Sequence, residues 1–394
     1  MARVRDQATG TGMGEGAGSS ASASASAPAA RRRRARDASR ITLRQLCRLG
    51  LPGPLLLPTL LPAVRQLVPA SHAGFFFCDE RGSILNLYAE RLLAPNDMAA
   101  YHDRHNDQQF RRQYLARVAA ASPVSRRSVG PEERASPYHR EVLAPLGIEH
   151  FLYAIVRHGQ RPIGQLSLYR GPDEPPFDEH DAAQLADVLH YLGEALAVPA
   201  VNLLRDVQAQ TLEEAIAVLT PDGQELFADA GWHRLIRMAH GNAIAPAAAL
   251  HERETLPRFL RAVMAAVETA PQAIHQVHTH WGRFAFRRHD LQARPDGAPA
   301  VALVLSRLAA EPLRLAQGAA VLGLSPQQRE VALLMALGRS NADIAAQMGL
   351  SLNTASYHAK QVLSRLGVHE RSAVARTLHE AAAHQDGRGS YPPG

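Results

Sequence analysis

A series of residues typical of helix starts and stops between positions 324 and 367 constrains the fold of this chain more than any other feature. Pro326 suits the first turn of a helix, where its missing N–H costs nothing. Three predicted helices have the N-caps Ser325, Asn341 and Ser351. Glycines that would end these helices follow at Gly338, Gly349 and Gly367. The spacing therefore predicts three short consecutive helices.

The third of these helices has one apolar and one polar face. Its apolar residues recur at helical spacing and predict a buried stripe of Ala355, Ala359, Val362 and Leu366. The inward faces of the two preceding helices are expected to include Val331, Leu334, Met335, Ile344, Ala345 and Met348. The opposite face of the third helix carries Ser356, Tyr357, Lys360, Gln361 and Ser364. Because Lys can donate to guanine and Gln can pair with adenine, this face suits a DNA major groove.

Two short helices joined by a tight, glycine-containing turn predict a helix-turn-helix. The segments 324–331, 338–345, 350–354 and 366–368, together with His358, resemble the LuxR-type (GerE-like) domain in order and without gaps. A sigma-factor-like region uses a similar helix pattern, but no promoter-melting segment accompanies it here. The resemblance implies an all-α four-helix domain over residues 318–380 that binds double-stranded DNA as a homodimer.

The same resemblance assigns roles to individual side chains. Base-reading positions of the family fall on Ser356, Tyr357, Lys360 and Gln361. Contacts to the DNA backbone are expected from Asn341, Thr354 and His358. His358 has the alternative of a capping or packing role. The family usually has Val-Lys where this chain has Ala355-Ser356, and the missing cation leaves the preferred DNA sequence open.

Residues 41–200 mix helix and strand patterns. Helices are predicted at 54–68 and 107–120, strands at 73–78 and 83–88, and a hairpin at 149–156 and 162–169 around the turn 158–161. A long amphipathic helix should follow Pro175-Pro-Phe-Asp178 and run to about residue 197. Ile163-Gly164 in the hairpin, followed by Pro-Phe-Asp-Glu before the last helix, resembles a GAF-type sensor domain.

Residues 201–312 predict a second mixed module. A helical connector at 201–210 precedes a strand from Thr211 and a turn at 221–223. Helices are expected around Leu235 and Met238 and near 252–268, before strands at 273–281, 283–291 and 299–308, the last two separated by Pro295-Asp-Gly297. This order resembles a PAS-like domain. Residues 309–323 are expected to be a linker.

The predicted fold class is therefore multidomain. Two α/β (α+β) sensor-like domains, GAF-like over 41–200 and PAS-like over 201–312, precede the all-α LuxR-type domain over 318–380. Two hypotheses fit the first two domains: one binds a small molecule that changes dimer geometry, or both are ligand-free dimerisation or protein-docking modules. RNA polymerase is a further candidate partner, and the sequence assigns no cofactor.

The two ends of the chain are predicted to be disordered. Residues 1–40 are rich in Ala, Ser and Arg, and 381–394 form a polar tail. The first 40 residues hold eight arginines against three acidic residues, which accounts for five of the six net positive charges. Global charge therefore does not by itself indicate DNA binding. The arginines suit either a phosphate-binding arm or a solvated tail.

Composition argues against several other classes of protein. The two cysteines, Cys47 and Cys78, show no pairing pattern, and no apolar run is long enough for a membrane helix, so a cytoplasmic location is expected. Lys360 is the single lysine, which excludes a P-loop ATPase. No nucleophile elbow or paired-carboxylate motif is present, so no enzyme is predicted.

Known sensor chemistries also find little support in the sequence. Asp79 follows a strand but lacks the acidic partners and lysine of a phosphorylated receiver domain. Residues 1–231 contain no tryptophan, whereas acyl-homoserine-lactone sensors of the LuxR family use a tryptophan-rich pocket. The histidines most suggestive of metal are His102, His105, His275, His278 and His280. They lack convergent carboxylate or cysteine ligands, so no metal site is predicted.

Overall fold

A computed structural model describes residues 36–91, 107–198, 211–241, 246–269, 274–291 and 299–389. The chain divides into two compact units, residues 1–38 and 39–394. Of the first unit only residues 36–38 are described, and they are helical although a disordered tail was expected there. All further elements belong to the second unit. Its first helix, α1, covers residues 39–47.

The first sheet is antiparallel and has the strand order β2-β1-β5-β4-β3. Its strands are β1 (His72–Cys78), β2 (Ile84–Ala89), β3 (Val124–Ser128), β4 (His150–His158) and β5 (Arg161–Arg170). The predicted hairpin is β4–β5, in which Phe151 pairs with Tyr169 and Val156 with Gly164. Gly164 lies where a side chain would collide with the backbone oxygen of Phe76 on β1, so only glycine fits there.

Helices flank this sheet. They are α2 (Gly53–Leu67), α3 (Asp107–Ala119), α4 (Pro131–Arg134), α5 (Glu179–Ala186) and α6 (Leu189–Leu196), with a short π-helix at His139–Leu143 followed by a single helical turn at Ala144–Leu146. The prediction of one long helix after Asp178 was wrong, because a two-residue turn at Asp187 and Val188 separates α5 from α6. Val188 is 2% exposed, and its burial accompanies the break between α5 and α6.

The second sheet repeats the topology of the first, with the order β7-β6-β10-β9-β8. Its elements are β6 (Thr211–Leu219), β7 (Glu225–Ala228), α7 (Trp232–His240), α8 (Pro246–Thr269), β8 (His275–Thr279), β9 (Gly282–Leu291) and β10 (Ala300–Leu308). In each sheet the first strand lies between the second and the last. The sequence missed β7, a short edge strand whose residues are all exposed and therefore show no alternation.

The two sheets share one hydrophobic core. The ring of Tyr88 on β2 lies 5.9 Å from that of Trp281, between centroids. The hydroxyl of Tyr88 accepts a hydrogen bond of 3.1 Å from Arg234 on α7. Arg307 on β10, 1% exposed, donates to the carbonyl of Leu55 on α2 at 3.1 Å. Polar contacts therefore reinforce the apolar contact between the two sheet regions.

Five helices follow the second sheet and surround a separate core. They are α9 (Glu311–Val321), α10 (Pro326–Ala336), α11 (Asn341–Met348), α12 (Leu352–Leu366) and α13 (Ser372–Gly389). The expected linker 309–323 was wrong over most of its length, because α9 packs on α13 through Leu315 and Ala319. The expected disordered tail 381–394 is helical as far as Gly389, and Ala382 is 1% exposed.

The helix starts and stops agree closely with the sequence pattern. Ser325 caps α10 through a capping box with Gln328, and Ser351 caps α12. The cap of α11 is Ser340 rather than Asn341, because the Ser340 hydroxyl accepts from the N–H of Asp343. The predicted stop glycines have left-handed backbones, with φ of 75°, 65° and 66° at Gly338, Gly349 and Gly367.

Several sequence predictions fall outside the described residues: the connector 201–210, the pair His102 and His105, the turn 295–297, and residues 1–35 and 390–394 of the two predicted tails. Within the described ranges, no group of three or more His, Cys, Asp or Glu side chains is placed to hold a metal ion. No helix of the described part of the chain is long and apolar enough to cross a membrane.

Candidate nucleic-acid interface

Helix α12 is held in place by its apolar side. Ala355 and Val362 are fully buried and Ala359 is 5% exposed, whereas Leu366 at the end of the stripe is only half-buried. This stripe packs against apolar residues of α10 and α11 and, less extensively, of α13. At its start, the Ser351 hydroxyl accepts from the N–H of Thr354 at 3.1 Å. The helix therefore has a defined start and a defined rotation about its axis.

The polar side of α12 contains two kinds of predicted base readers. Tyr357 is 59% exposed and Lys360 is exposed, so both side chains can extend into a groove. Ser356 and Gln361 are half-buried and hydrogen-bonded within the domain. Leu352, at the first turn, is 55% exposed. This face therefore presents two long, exposed side chains. Beside them lie Ser356 and Gln361, which hydrogen bonds within the domain hold in place.

Ser356 belongs to a chain of hydrogen bonds that joins three helices. Arg371, just before α13, donates to the Asn341 Oδ1 at 2.9 Å and also to the carbonyl of Arg339. The Asn341 Nδ2 donates to the Ser356 hydroxyl at 3.2 Å. Both the oxygen and the nitrogen of the Asn341 amide therefore form hydrogen bonds within the domain. Burial lowers the pKa of Arg371 from its usual value.

Gln361 belongs to a second chain of hydrogen bonds. Gln328 Oε1 accepts from the N–H of Ser325 at 2.9 Å, which is half of the capping box of α10. Gln328 Nε2 donates to Gln361 Oε1 at 3.1 Å. The cap of α10 and the face of α12 are thus connected by one side chain, which is 6% exposed.

The remaining two predicted contact residues are Thr354, in the first turn of α12, and His358, near its middle. Thr354 is half-buried, and its hydroxyl lies 2.8 Å from that of Ser351. His358 is half-buried, and its Nδ1 is buried without a hydrogen-bond partner among the described residues. The structure therefore brings six of the seven predicted side chains onto one helix, with Asn341 beside it.

Sequence reasoning missed two residues of this site, Gln328 and Arg371. The spacing Ser325-x-x-Gln328 is a capping-box signal and would have identified the first. Nothing in the local pattern marks Arg371, which reaches Asn341 only because α11 and α13 come together in the tertiary structure. A helix-turn-helix with a polar, partly oriented outer face is the class of site that these observations define.

Comparisons with known proteins place this site in a family. Residues 322–378 match the model of bacterial regulatory proteins of the luxR family (GerE). The two-component response regulator PprB of Pseudomonas aeruginosa is 39% identical over 62 residues, which are 16% of this chain. This chain spans 22% of the length of that curated relative. Residues 322–378 thus form a LuxR-family helix-turn-helix domain.

Solved structures give weaker likenesses. A phage VqmA–DPO complex is 17% identical, with 46% of this chain and 86% of that chain covered and a TM-score of 0.18. The VqmA dimer of Vibrio cholerae has the same identity and coverage and a TM-score of 0.16. Bacteriophytochrome RpBphP3 of R. palustris is 12% identical, covering 69% and 61% of the two chains at a TM-score of 0.27.

Proposed function

We propose that this chain is a one-component, sequence-specific transcription regulator whose domain 318–380 binds double-stranded DNA in the major groove as a homodimer. The observation that carries the proposal is the polar outer face of α12, on a capped helix whose opposite side is buried in a LuxR-type domain. A helix of about 10–12 Å diameter with its side chains fits the major groove, which is about 12 Å wide.

The proposed contacts fall into two groups, those to base edges and those to the DNA backbone. Lys360 and Tyr357 extend from the middle of α12 toward base edges, and Ser356 and Gln361 supply shorter, oriented contacts. Thr354 lies in the first turn, where free N–H groups and the helix dipole suit a phosphate. His358 and Asn341 are proposed to contact the DNA backbone. DNA binding without a catalytic step is the proposed activity.

Control of DNA binding by the N-terminal regions is part of the proposal. It is supported by direct contacts between α1 and α10: Gln45 donates to the carbonyl of Pro326 at 3.0 Å. Arg48 pairs with Glu330 at 2.7 Å, and Glu330 is 8% exposed. Leu49 packs on the core of the helical domain. A change in the first sheet region therefore has a short path to the DNA-binding helices.

Helix α9 supplies a second path. Leu313 belongs to the core shared by the two sheets, whereas Leu315 belongs to the core of the helical domain. A rigid helix with one residue in each core transmits displacement better than a flexible linker would. We propose that a small molecule bound in the GAF-like region 41–200 or the PAS-like region 201–312 uses these connections.

The alternative function is ligand-free dimerisation or protein docking through the sheet regions. One observation favours it: Phe227 on β7 is 72% exposed, and Ile216 on the adjacent strand β6 is 44% exposed. Exposed apolar side chains on neighbouring strands suit a contact with a second protein chain.

The test is selection of duplexes from a randomised DNA library by the full-length protein, followed by binding measurements at several salt concentrations. We expect an enriched motif and an affinity that falls steeply with salt, since cationic side chains displace counterions from phosphates. Absence of an enriched motif, or binding that is insensitive to salt, would contradict the proposed function. Native mass spectrometry of the same sample separates a ligand-bound protein from a ligand-free dimer.

A further inference from the structure

We propose that two internal hydrogen-bond relays turn the recognition face of α12 into a surface of donors, so that it selects base edges that accept hydrogen bonds. The inference rests on the proposed function, because it concerns which bases α12 prefers once it lies in the groove. The two relays are Ser325–Gln328–Gln361 and Arg371–Asn341–Ser356. Each begins at a group that can only donate.

The first relay determines which way the Gln361 amide faces. A backbone N–H can only donate, so the Gln328 atom 2.9 Å from the nitrogen of Ser325 must be its oxygen. The other end of the Gln328 amide is then its NH₂ group, which donates to Gln361 at 3.1 Å. The Gln361 atom that receives this bond must be its oxygen. Its NH₂ group is left for a DNA base.

The second relay determines the role of the Ser356 hydroxyl. A guanidinium has no acceptor, so the Asn341 atom 2.9 Å from Arg371 must be its oxygen. The NH₂ group of Asn341 then donates to the Ser356 oxygen at 3.2 Å. Because this oxygen already accepts a bond, the hydroxyl hydrogen of Ser356 is free to point elsewhere and donate.

The two relays converge on one helix face with a third donor. Lys360 lies one turn after Ser356 and next to Gln361, and its ammonium group has no acceptor. The face therefore offers a hydroxyl, an ammonium and an amide NH₂ group within two turns. Ser356 and Gln361 are both half-buried, which limits their freedom to rotate into other arrangements.

Base edges in the major groove differ in what they offer to such a surface. Guanine presents two acceptors and thymine one, adenine presents an acceptor and a donor, and cytosine presents only a donor. We infer that α12 prefers guanine, then thymine, at the positions that Ser356, Lys360 and Gln361 contact, and that it rejects cytosine. The Gln361–adenine pair expected from sequence needs the amide oxygen of Gln361 to face the base, whereas this oxygen faces Gln328.

The experiment repeats the DNA selection with the full-length protein and with variants in which a hydrogen-bond donor of a relay is replaced by an acceptor. Gln361→Glu replaces the NH₂ group by an acceptor, and we expect one position of the motif to change from guanine or thymine to cytosine, by about tenfold in relative affinity. Gln328→Glu leaves the α12 surface intact but makes Gln361 turn its NH₂ group inward. The two variants should therefore shift the same position in the same direction.

Asn341→Asp tests the second relay in the same way. A carboxylate beside Arg371 accepts from the Ser356 hydroxyl and turns the lone pairs of Ser356 toward the DNA. We expect a change toward a donor-bearing base at a different position of the motif. Arg376→Ala, at an exposed residue of α13 outside both relays, is the matched control and should leave the motif unchanged.

A measurement on the wild-type protein keeps the test independent of variant folding. Replacing the selected guanines by 7-deazaguanine removes one acceptor and should lower affinity about tenfold. Wild-type selection of cytosine or adenine at these positions, unchanged motifs in all three relay variants, or indifference to 7-deazaguanine would overturn the inference while leaving DNA binding intact. Failure of the wild-type protein to select any duplex would instead contradict the proposed function.

Discussion

At the scale of single residues, Lys360 has an exposed side chain on α12 and the one lysine ammonium of the sequence. Ser356 and Gln361, by contrast, are held by bonds within the domain. An exposed cation on a long side chain can contact a guanine edge or a phosphate, and these two roles have different consequences for binding. A single substitution separates them.

Lys360→Ala should weaken binding to the selected duplex by about 1–3 kcal/mol and relax discrimination at one base pair, since a base contact contributes specificity as well as affinity. The measurement is fluorescence anisotropy against the motif and its single-base variants, with Arg376→Ala as control. An equal loss on all sequences, together with a shallower salt dependence, would show instead that Lys360 contacts a phosphate.

His72 on β1 should make the stability of the fold depend on pH, independently of DNA binding. Its side chain is 3% exposed, and neither ring nitrogen has a hydrogen-bond partner among the described residues. Burial, reinforced by Arg91 and Arg65, lowers the pKa of His72 from 6.5 to about 4. The unfolded chain therefore takes up a proton at a higher pH than the folded chain does.

The contribution of His72 to the free energy of unfolding should accordingly be fully present above pH 6.5 and be lost as the pH decreases from 6.5 to 4. The contribution of His72 to this loss is roughly 3 kcal/mol from the shift in pKa. Urea unfolding of the wild-type protein and of His72→Phe, across that range, measures it; phenylalanine keeps the ring contact with Tyr169. Parallel curves for the two proteins would contradict the assignment to His72.

At the scale of elements, the close approach of α9 and α13 depends on one glycine. A Cβ at Gly318 would lie 1.9 Å from the backbone oxygen of Leu378, which no relaxation of a side chain could relieve. The same helix buries Leu315 and Ala319 in the helical core. Gly318 therefore allows α9 to be a packed helix where a linker was expected from the sequence.

Gly318→Ala should destabilise the helical domain by about 1–3 kcal/mol, because α9 must move away from α13 or both must distort. Gly323→Ala is the matched control, since a Cβ there meets no atom within 4 Å. Thermal unfolding followed by circular dichroism compares them. Equal midpoints for the two variants would mean that α9 does not pack on α13 as described.

At the scale of the whole molecule, the two largest cores among the described residues beyond 38 are the one shared by the sheets and the one in the helical domain, and they meet through α1 and α9. Two smaller apolar clusters lie around Phe151 and Tyr114. Glu330 on α10 pairs with both Arg48 and Arg44 of the N-terminal region. These arginines are more than two-fifths exposed, so solvent screening reduces the strength of the contact.

A double-mutant cycle on Arg48→Ala and Glu330→Gln should give a coupling energy of about 0.5–1 kcal/mol. We also expect faster amide exchange in α1 and α10 of either variant, with exchange in β4 and β5 unchanged, because the contact joins the two regions rather than supporting either one. A coupling energy of zero, with exchange in α1 unaltered, would remove this connection as a path of control.

Local sequence determined the elements that depend on neighbouring residues. Caps and stop glycines specify α10, α11 and α12 because a helix end is satisfied within about four residues of itself, and only the choice of Asn341 over Ser340 was wrong. The strands β4 and β5 followed from their turn. By the same reasoning, six of the seven predicted contact residues lie on α12, whereas Asn341 lies on α11 and is brought beside α12 by the fold.

Tertiary structure alone decided what depends on residues far apart in the chain. The helix α9 exists as a packed element because Gly318 meets Leu378, and β7 pairs with β6 although its own residues show no pattern. The donor character of Ser356 and Gln361 comes from Arg371 and Gln328, which lie 15 and 33 positions away from them. Spacing along the chain places a side chain on a face, but the direction of its hydrogen bonds is set by partners that only folding brings within 3 Å or so.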